Sequence, residues 1–257
     1  MLHIGGINFD LDFFLRYLLT PPKSIWEGLW VTIEVSLLAQ IAGVMLGLLV
    51  GLARLSKITV IRLGAALYSW AWRGTPVLVQ LLIVYTGVAA AGIYRYPDLV
   101  IGPLVVPGAL QAALITLTLN EAAYMGEIFR AAIQAIDRGQ TDAARAIGMR
   151  PWGALRWVIL PQAARIILPP LGNEFTLMIK GTSLLSVIGV RELFGTVQNI
   201  NSATFRTFEL FLIAAIWYLA LTTVLSIGQR FLEIRLSRHE RTAATVPANR
   251  SLLSRRV

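Results

Sequence analysis

The sequence predicts an all-α polytopic membrane protein with about five transmembrane helices and a long polar loop between spans 3 and 4. Three observations lead there. Of its 257 residues, 56% are hydrophobic and only 14% charged, with a mean hydropathy of +0.67, well outside the composition of a soluble globular domain. Its uncharged runs recur at lengths that match a hydrocarbon layer about 30 Å thick. Its basic residues lie between those runs and at the C-terminal end, so the net charge of +9 does not describe the basic face of a soluble nucleic-acid binder.

The first span is read from the uncharged run Val35 to Ala53, extended toward the N-terminus by Trp26 to Glu34. Gly43, Gly47 and Gly51 recur every four residues along it, a pattern that admits another helix backbone to backbone. A basic, amphipathic segment follows, and the sequence leaves open whether 58–72 lies along the membrane surface or continues into the second span. Gly74 and Pro76 in the run Arg73-Gly74-Thr75-Pro76 should bend or break a helix there, with the second span mostly Gly74 to Ala91. The third span is expected from near Pro103 to about Phe129 and the fourth from Pro161 to about Val190, interrupted at Pro169-Pro170. The fifth runs from Leu210 to Gln229, and a loosely ordered basic tail is expected beyond Arg235. In domain terms this gives an extracytoplasmic segment at 1–23, a transmembrane unit at 24–236 with its polar loop at 138–157, and a basic tail at 237–257.

Loop charge sets the orientation. Arg54 to Arg62 holds three basic residues and no acid, and Arg130 to Arg165 holds six arginines against two aspartates. These segments and the tail are expected in the cytoplasm. In the other two loops Arg95 is balanced by Asp98, and Arg191 and Arg206 by Glu192 and Glu209, so these face outward. Five spans then put the N-terminus outside and the C-terminus inside. The N-terminal residues lack the charged, apolar and small-residue pattern of a cleaved signal and are expected to stay attached.

Several chemistries find no support in the sequence. There is no G-x-x-x-x-G-K-[ST] loop, and Lys180-Gly181-Thr182-Ser183 has the letters in another order, so no catalytic residues and no ATP hydrolysis are assigned to this chain. His3 and His239 lie near opposite ends and there is no cysteine, so no metal or cofactor site is expected. No G-x-S-x-G or H-E-x-x-H motif is present. What remains is charge at membrane depth, where each ionised side chain costs about 2.5–3.5 kcal/mol on an insertion scale and needs a partner or water. Glu121 in the third span and Asn173, Glu174 and Lys180 in the fourth are the candidate substrate-pathway residues. They could contact a polar solute, or Glu121, Glu174 and Lys180 could pair with one another or with neighbouring helices. Glu127, beside Arg130, is expected to pair.

The polar loop reads RGQTDAARAIGMRPWGALRWVILP from Arg138 to Pro161. Thr141 is expected to cap a short helix that Gly148 ends in a left-handed turn, and Pro151 suits the first turn of the next. Ala143, Ala144 and Gly148 leave a strip almost free of side-chain bulk. The order Asp142-Ala143-Ala144, Gly148, Val158, Leu160-Pro161 resembles the EAA loop of ABC-importer permeases. Asp142 stands for the usual Glu and Val158 for the usual Ile. RGTPVLVQL from Arg73, AYMGEIFRAAI before the loop, and LPQAARIILPPLGNEF with KGTSLLSVIGV after it resemble the polar amino-acid subfamily over roughly residues 24–236. Arg130-Ala131-Ala132 departs from the subfamily's frequent Arg-Gly-Gly.

The resemblance implies the permease subunit of an importer for a polar or charged amino acid or a close derivative. It implies a second permease chain, identical or paralogous, and two cytoplasmic ATPases that bind ATP and Mg and receive the loop through Gln140, Asp142, Ala143, Ala144, Gly148, Leu160 and Pro161. A periplasmic or surface-tethered binding protein would deliver the amino acid. The residues alone leave two alternatives, a channel or ion-coupled carrier working without an ATPase and a purely structural membrane subunit.

Overall fold

The computed structural model describes the chain backbone at residues 2–4 and 7–243. It is an all-α bundle with two small hairpins. After β1 (Leu2–Ile4) and β2 (Ile7–Phe9) come α1 (Leu11–Leu19) and the first long helix, α2 (Lys23–Arg54). α3 (Thr59–Gly74) leads to α4 (Val77–Leu82), a π-helical turn (Ile83–Gly87) and α5 (Val88–Ala90). A hairpin of β3 (Leu99–Ile101) and β4 (Leu104–Val106) precedes α6 (Gly108–Ala135). The polar loop holds α7 (Arg138–Ala146) and α8 (Pro151–Ala154), which passes through a π-helical turn (Leu155–Ile159) into α9 (Leu160–Gly181). A 3-10 segment (Thr182–Ile188), α10 (Leu193–Thr204) and α11 (Thr207–Ala243) complete the fold.

Among the described residues, α2 and α11 are long and apolar enough to cross a membrane. α3 and the Val77–Ala90 run pass the same test as one span bent by 104° at Thr75-Pro76. α6 and α9 are also long enough, at about 42 and 33 Å for 28 and 22 residues, but they carry the polar groups described below. Such helices must face protein or water.

Close approach of α2 and α6 forms the centre of the bundle. A Cβ on Gly43 would lie 2.5 Å from Glu121 Cγ, one on Gly47 2.5 Å from Met125 Cβ, and one on Gly51 2.8 Å from Phe129 Cβ. The expected glycine strip is therefore the surface on which α6 rests, and the pairing shows that α2 and α6 run in the same direction. α9 runs against them, since Ala163 and Ile167 near its start pack with Met125, Phe129 and Ala132 toward the end of α6.

Several boundaries differ from expectation. The third span starts at Gly108, because Leu99–Val106 pairs as a hairpin and Asp98 Oδ1 accepts the Gly108 N–H at 2.8 Å. α9 continues through Pro169 and Pro170, held on both sides by α6 and α11. The segment between α9 and α11, expected to face outward, contains α10, whose N-terminus is capped by Glu192 accepting the Gly195 N–H at 2.6 Å. Residues 9–19 do not form a separate segment, because Phe13, Phe14, Tyr17 and Leu18 of α1 pack against Val197, Leu210 and Ile213. The final helix runs to Ala243, well beyond Arg235. The expected tail at 244–257 lies outside the described residues, as do the side chains of His3 and His239.

Candidate functional site

The break in the second span creates the first part of the site. Pro76 cannot continue α3, and Thr75 takes an extended conformation with φ −118° and ψ 145°. The carbonyls left open at the end of α3 meet the buried side chain of Gln80. Its Nε2 lies 2.6 Å from Trp72 O, 3.0 Å from Thr75 O and 2.7 Å from Thr75 Oγ1. Asn120 of α6 donates to Gln80 Oε1 at 2.8 Å, which ties the break to the third span. Tyr68 adds a second tie by donating to Leu119 O at 2.5 Å.

Beside this break lies a pocket of about 190 Å³ between α4, α6 and α9, lined by Val77, Asn120, Glu121, Tyr124, Glu174 and Gly181 among others. Glu121 is 3% exposed and accepts a hydrogen bond from Gln40 Nε2 of α2 at 2.7 Å. Glu174 is half-buried and its carboxylate shares the pocket. The start of α4, with its positive dipole end, also lines the pocket.

The four candidate pathway residues therefore divide. Glu121 and Glu174 are brought together, whereas Asn173 and Lys180 lie on the exposed side of α9, where Lys180 borders a groove of about 400 Å³ shared with Thr222, Ser226 and Arg230 of α11. Mutual pairing of Lys180 with the two glutamates is not what the structure has. Lys180 makes no ion pair among the described residues. Gln80, Asn120 and Tyr124 were missed as site residues. For Gln80 and Asn120, the polar positions within the otherwise mostly apolar runs 77–82 and 109–120 were the available signal.

Toward the end of α6 that leads into the polar loop, Glu127 sits among three arginines from three helices. Arg54 Nε and Arg130 Nη2 each approach it to 2.9 Å and Arg73 Nη1 to 4.0 Å. This fulfils the expectation that Glu127 pairs, and it fastens α2 and α3 to α6 beside the polar loop.

In that loop Asp137, not Thr141, caps α7, accepting the Gly139 N–H at 2.7 Å, so the helix begins one turn earlier than expected. Gly148 is left-handed with φ +81°, and the Met149 N–H closes on Ala144 O at 3.0 Å. Pro151 opens α8. Ala144 is 3% exposed, so it does not belong to a free strip with Ala143. The exposed small residues are Gly139, Ala143, Ala146 and Gly148, flanked by Ile147 at 79% exposure and by Trp152 and Trp157. Asp142 is exposed, paired at 3.8 Å with Arg145. Gln140 accepts from Gln162 of α9 at 3.2 Å, while Leu160 and Pro161 are the first residues of α9 itself.

The sequence model of the binding-protein-dependent transport system inner membrane component matches residues 43–238. The chain belongs to this family. Its relatives include the glutamine transport system permease protein GlnP of Escherichia coli, 39% identical over 210 residues that cover 82% of this chain and 91% of GlnP. The arginine transport system permease protein ArgU of Corynebacterium glutamicum is 42% identical over 207 residues, covering 79% of this chain. The match spans 65% of the length of ArgU. Among solved structures, an amino acid ABC transporter crystallised with histidines has a chain 39% identical, with a TM-score of 0.77, covering 89% of this chain and all of that one. A chain of the MetNI methionine transporter in its inward-facing form, 17% identical with a TM-score of 0.60, shares the fold. For this family member the bundle is thus a membrane component of a transport system.

Proposed function

We propose that the chain is the permease subunit of an ATP-binding-cassette importer that carries a polar or charged amino acid, or a close derivative, into the cytoplasm. The observation that carries this reading is mechanical. One helical path from Pro151 through the π-helical turn to Gly181 joins the loop containing α7 to Glu174 in the pocket. Movement imposed at the loop would reach the pocket without crossing a flexible link.

In this reading α7 docks in a cleft of a separate ATPase, with Ala143, Ala146 and Gly148 allowing close approach and Ile147 and Trp152 supplying apolar contact. ATP and Mg belong to that ATPase, and two ATPases serve two permease chains. The pocket of about 190 Å³ is smaller than the roughly 300–1,000 Å³ of ordinary ligand sites, which suits a pathway completed when the exposed face of α9 meets a second chain. A zwitterion would offer its ammonium to Glu174 or Glu121. Its carboxylate would find the N-terminal amides of α4. The permease does no bond chemistry; it supplies two arrangements of its helices, which ATP binding and hydrolysis interconvert. A binding protein feeds the outer face.

The test is co-purification. Tagged wild-type chain solubilised from its own membrane should retain a soluble ATPase, and Ala143→Arg should lose it at unchanged chain abundance. A wild-type chain that transports in vesicles while retaining no ATPase would instead be a carrier.

A further inference from the structure

We infer that α1 is an interfacial helix whose leucine edge contacts the acyl chains of bilayer phospholipid. Its residues divide into three sectors. Phe13, Phe14, Tyr17 and Leu18 face the protein, where they pack on α10 and α11. Leu11, Leu15 and Leu19, spaced four apart, form an exposed apolar edge, and exposure reaches 73% at Leu19. Asp12 and Arg16 occupy the remaining, polar edge. A two-sided surface helix needs one apolar face, whereas a helix meeting protein, hydrocarbon and water needs this third division.

The position of α1 in the fold identifies the occupant. Its N-terminal end is fixed to the start of α11, where Arg206 Nη2 lies 3.0 Å from Asp10 Oδ2 and Glu209 Oε1 accepts the Asp10 N–H at 2.8 Å. At its C-terminal end three residues, 20–22, lead into α2, and three residues span at most about 10 Å. Tyr17 and Trp217 of α11 both pack against the cluster of Leu193 with Ile25 and Leu29 from the first two turns of α2. The same pairing shows that α2 and α11 start from one membrane face. Trp26 and Trp217, with ring centroids 5.1 Å apart, mark the aromatic level at which spans meet headgroups. The second half of α1 therefore lies at the depth where the spans begin, and an exposed leucine edge there continues the lipid-facing surface of α2. The last turn is closed by Thr20, whose N–H and Oγ1 both donate to Arg16 O.

The absence of cysteine from the chain allows a direct test. Asp12→Cys, Leu15→Cys, Arg16→Cys and Leu19→Cys, each labelled with a small fluorophore, are reconstituted with the complete transporter in phosphatidylcholine nanodiscs. Spin-labelled phosphatidylcholine should quench the labels at 15 and 19 more than those at 12 and 16, and aqueous iodide should show the reverse order. Quenching of the Leu19→Cys label by iodide and not by lipid would put this edge in water. Protection from both would mean that protein covers it. Either result overturns the inference.

Discussion

At the level of single residues, the two carboxylates of the pocket have different surroundings and should respond differently to neutralisation. Glu121 is enclosed, and among the described residues its side chain accepts from Gln40 alone, whose own oxygen finds no partner there. Glu121→Gln can keep one amide contact and retain the packing under Gly43. Glu174 is more open and offers its charge to the pathway. Glu174→Gln should therefore lower uptake more than Glu121→Gln, with both variants assembling normally, as measured by uptake in vesicles alongside size-exclusion profiles. Equal, unaltered uptake in both would make the glutamates structural. The glycines make the opposite kind of prediction. Gly47→Val would drive a side chain into Met125 Cβ and Ala122 O, so it should destabilise the bundle by about 1–3 kcal/mol as overpacking does, whereas Gly64→Ala, with open space around it, should not. Thermal melts of the detergent-solubilised protein distinguish them. The glycine spacing was legible because close helix packing leaves a four-residue signature. The inward turn of Ala144 was not, since a small residue looks the same on either face of a short helix.

Among the elements, the break between α3 and α4 and the loop helix α7 are where the proposed function is most open to test. Gln80 holds the break by reaching back to carbonyls at the end of α3, and Asn120 holds Gln80. Gln80→Ala would remove the donor shared by the part-buried carbonyls of Trp72 and Thr75, a cost of about 1 kcal/mol. It should loosen the α3–α4 corner, seen as faster amide exchange there than in α2. In the loop, Gly148→Val strains a left-handed backbone position and should reduce ATPase coupling without affecting insertion of the spans. Most long elements could be read from sequence because apolar length and loop charge report directly on a bilayer. α10 could not, being short and rich in Gly, Asn and Thr, and stabilised by contacts across α2 and α11. Thr32 Oγ1 accepts the Leu193 N–H at 3.1 Å, and Tyr218 donates to Glu192 at 2.5 Å. The start of α6 was misplaced because the β3–β4 hairpin is itself apolar and carries no charge to separate it from a span. The pocket was half legible. Glu121 and Glu174 stood out as charges at depth, but Lys180, six residues after Glu174, points elsewhere on the helix.

For the whole molecule, the directions of the helices agree with alternating spans, α2, α6 and α11 one way and α9 the other. With the basic loops expected inside, single cysteines replacing Thr59 or Thr141 should be shielded from an impermeant thiol reagent in intact cells. Those replacing Tyr94 or Ser202 should react, and reaction at Thr141→Cys would reverse the orientation. The most direct measurement is uptake of a labelled polar amino acid into proteoliposomes containing the permease, with ATP, its ATPase and its binding protein each omitted in turn. Uptake should require all three, and Ala143→Arg, on the exposed face of α7, should lose uptake and binding-protein-stimulated ATP hydrolysis together. Uptake at the full rate without the ATPase would contradict the assignment.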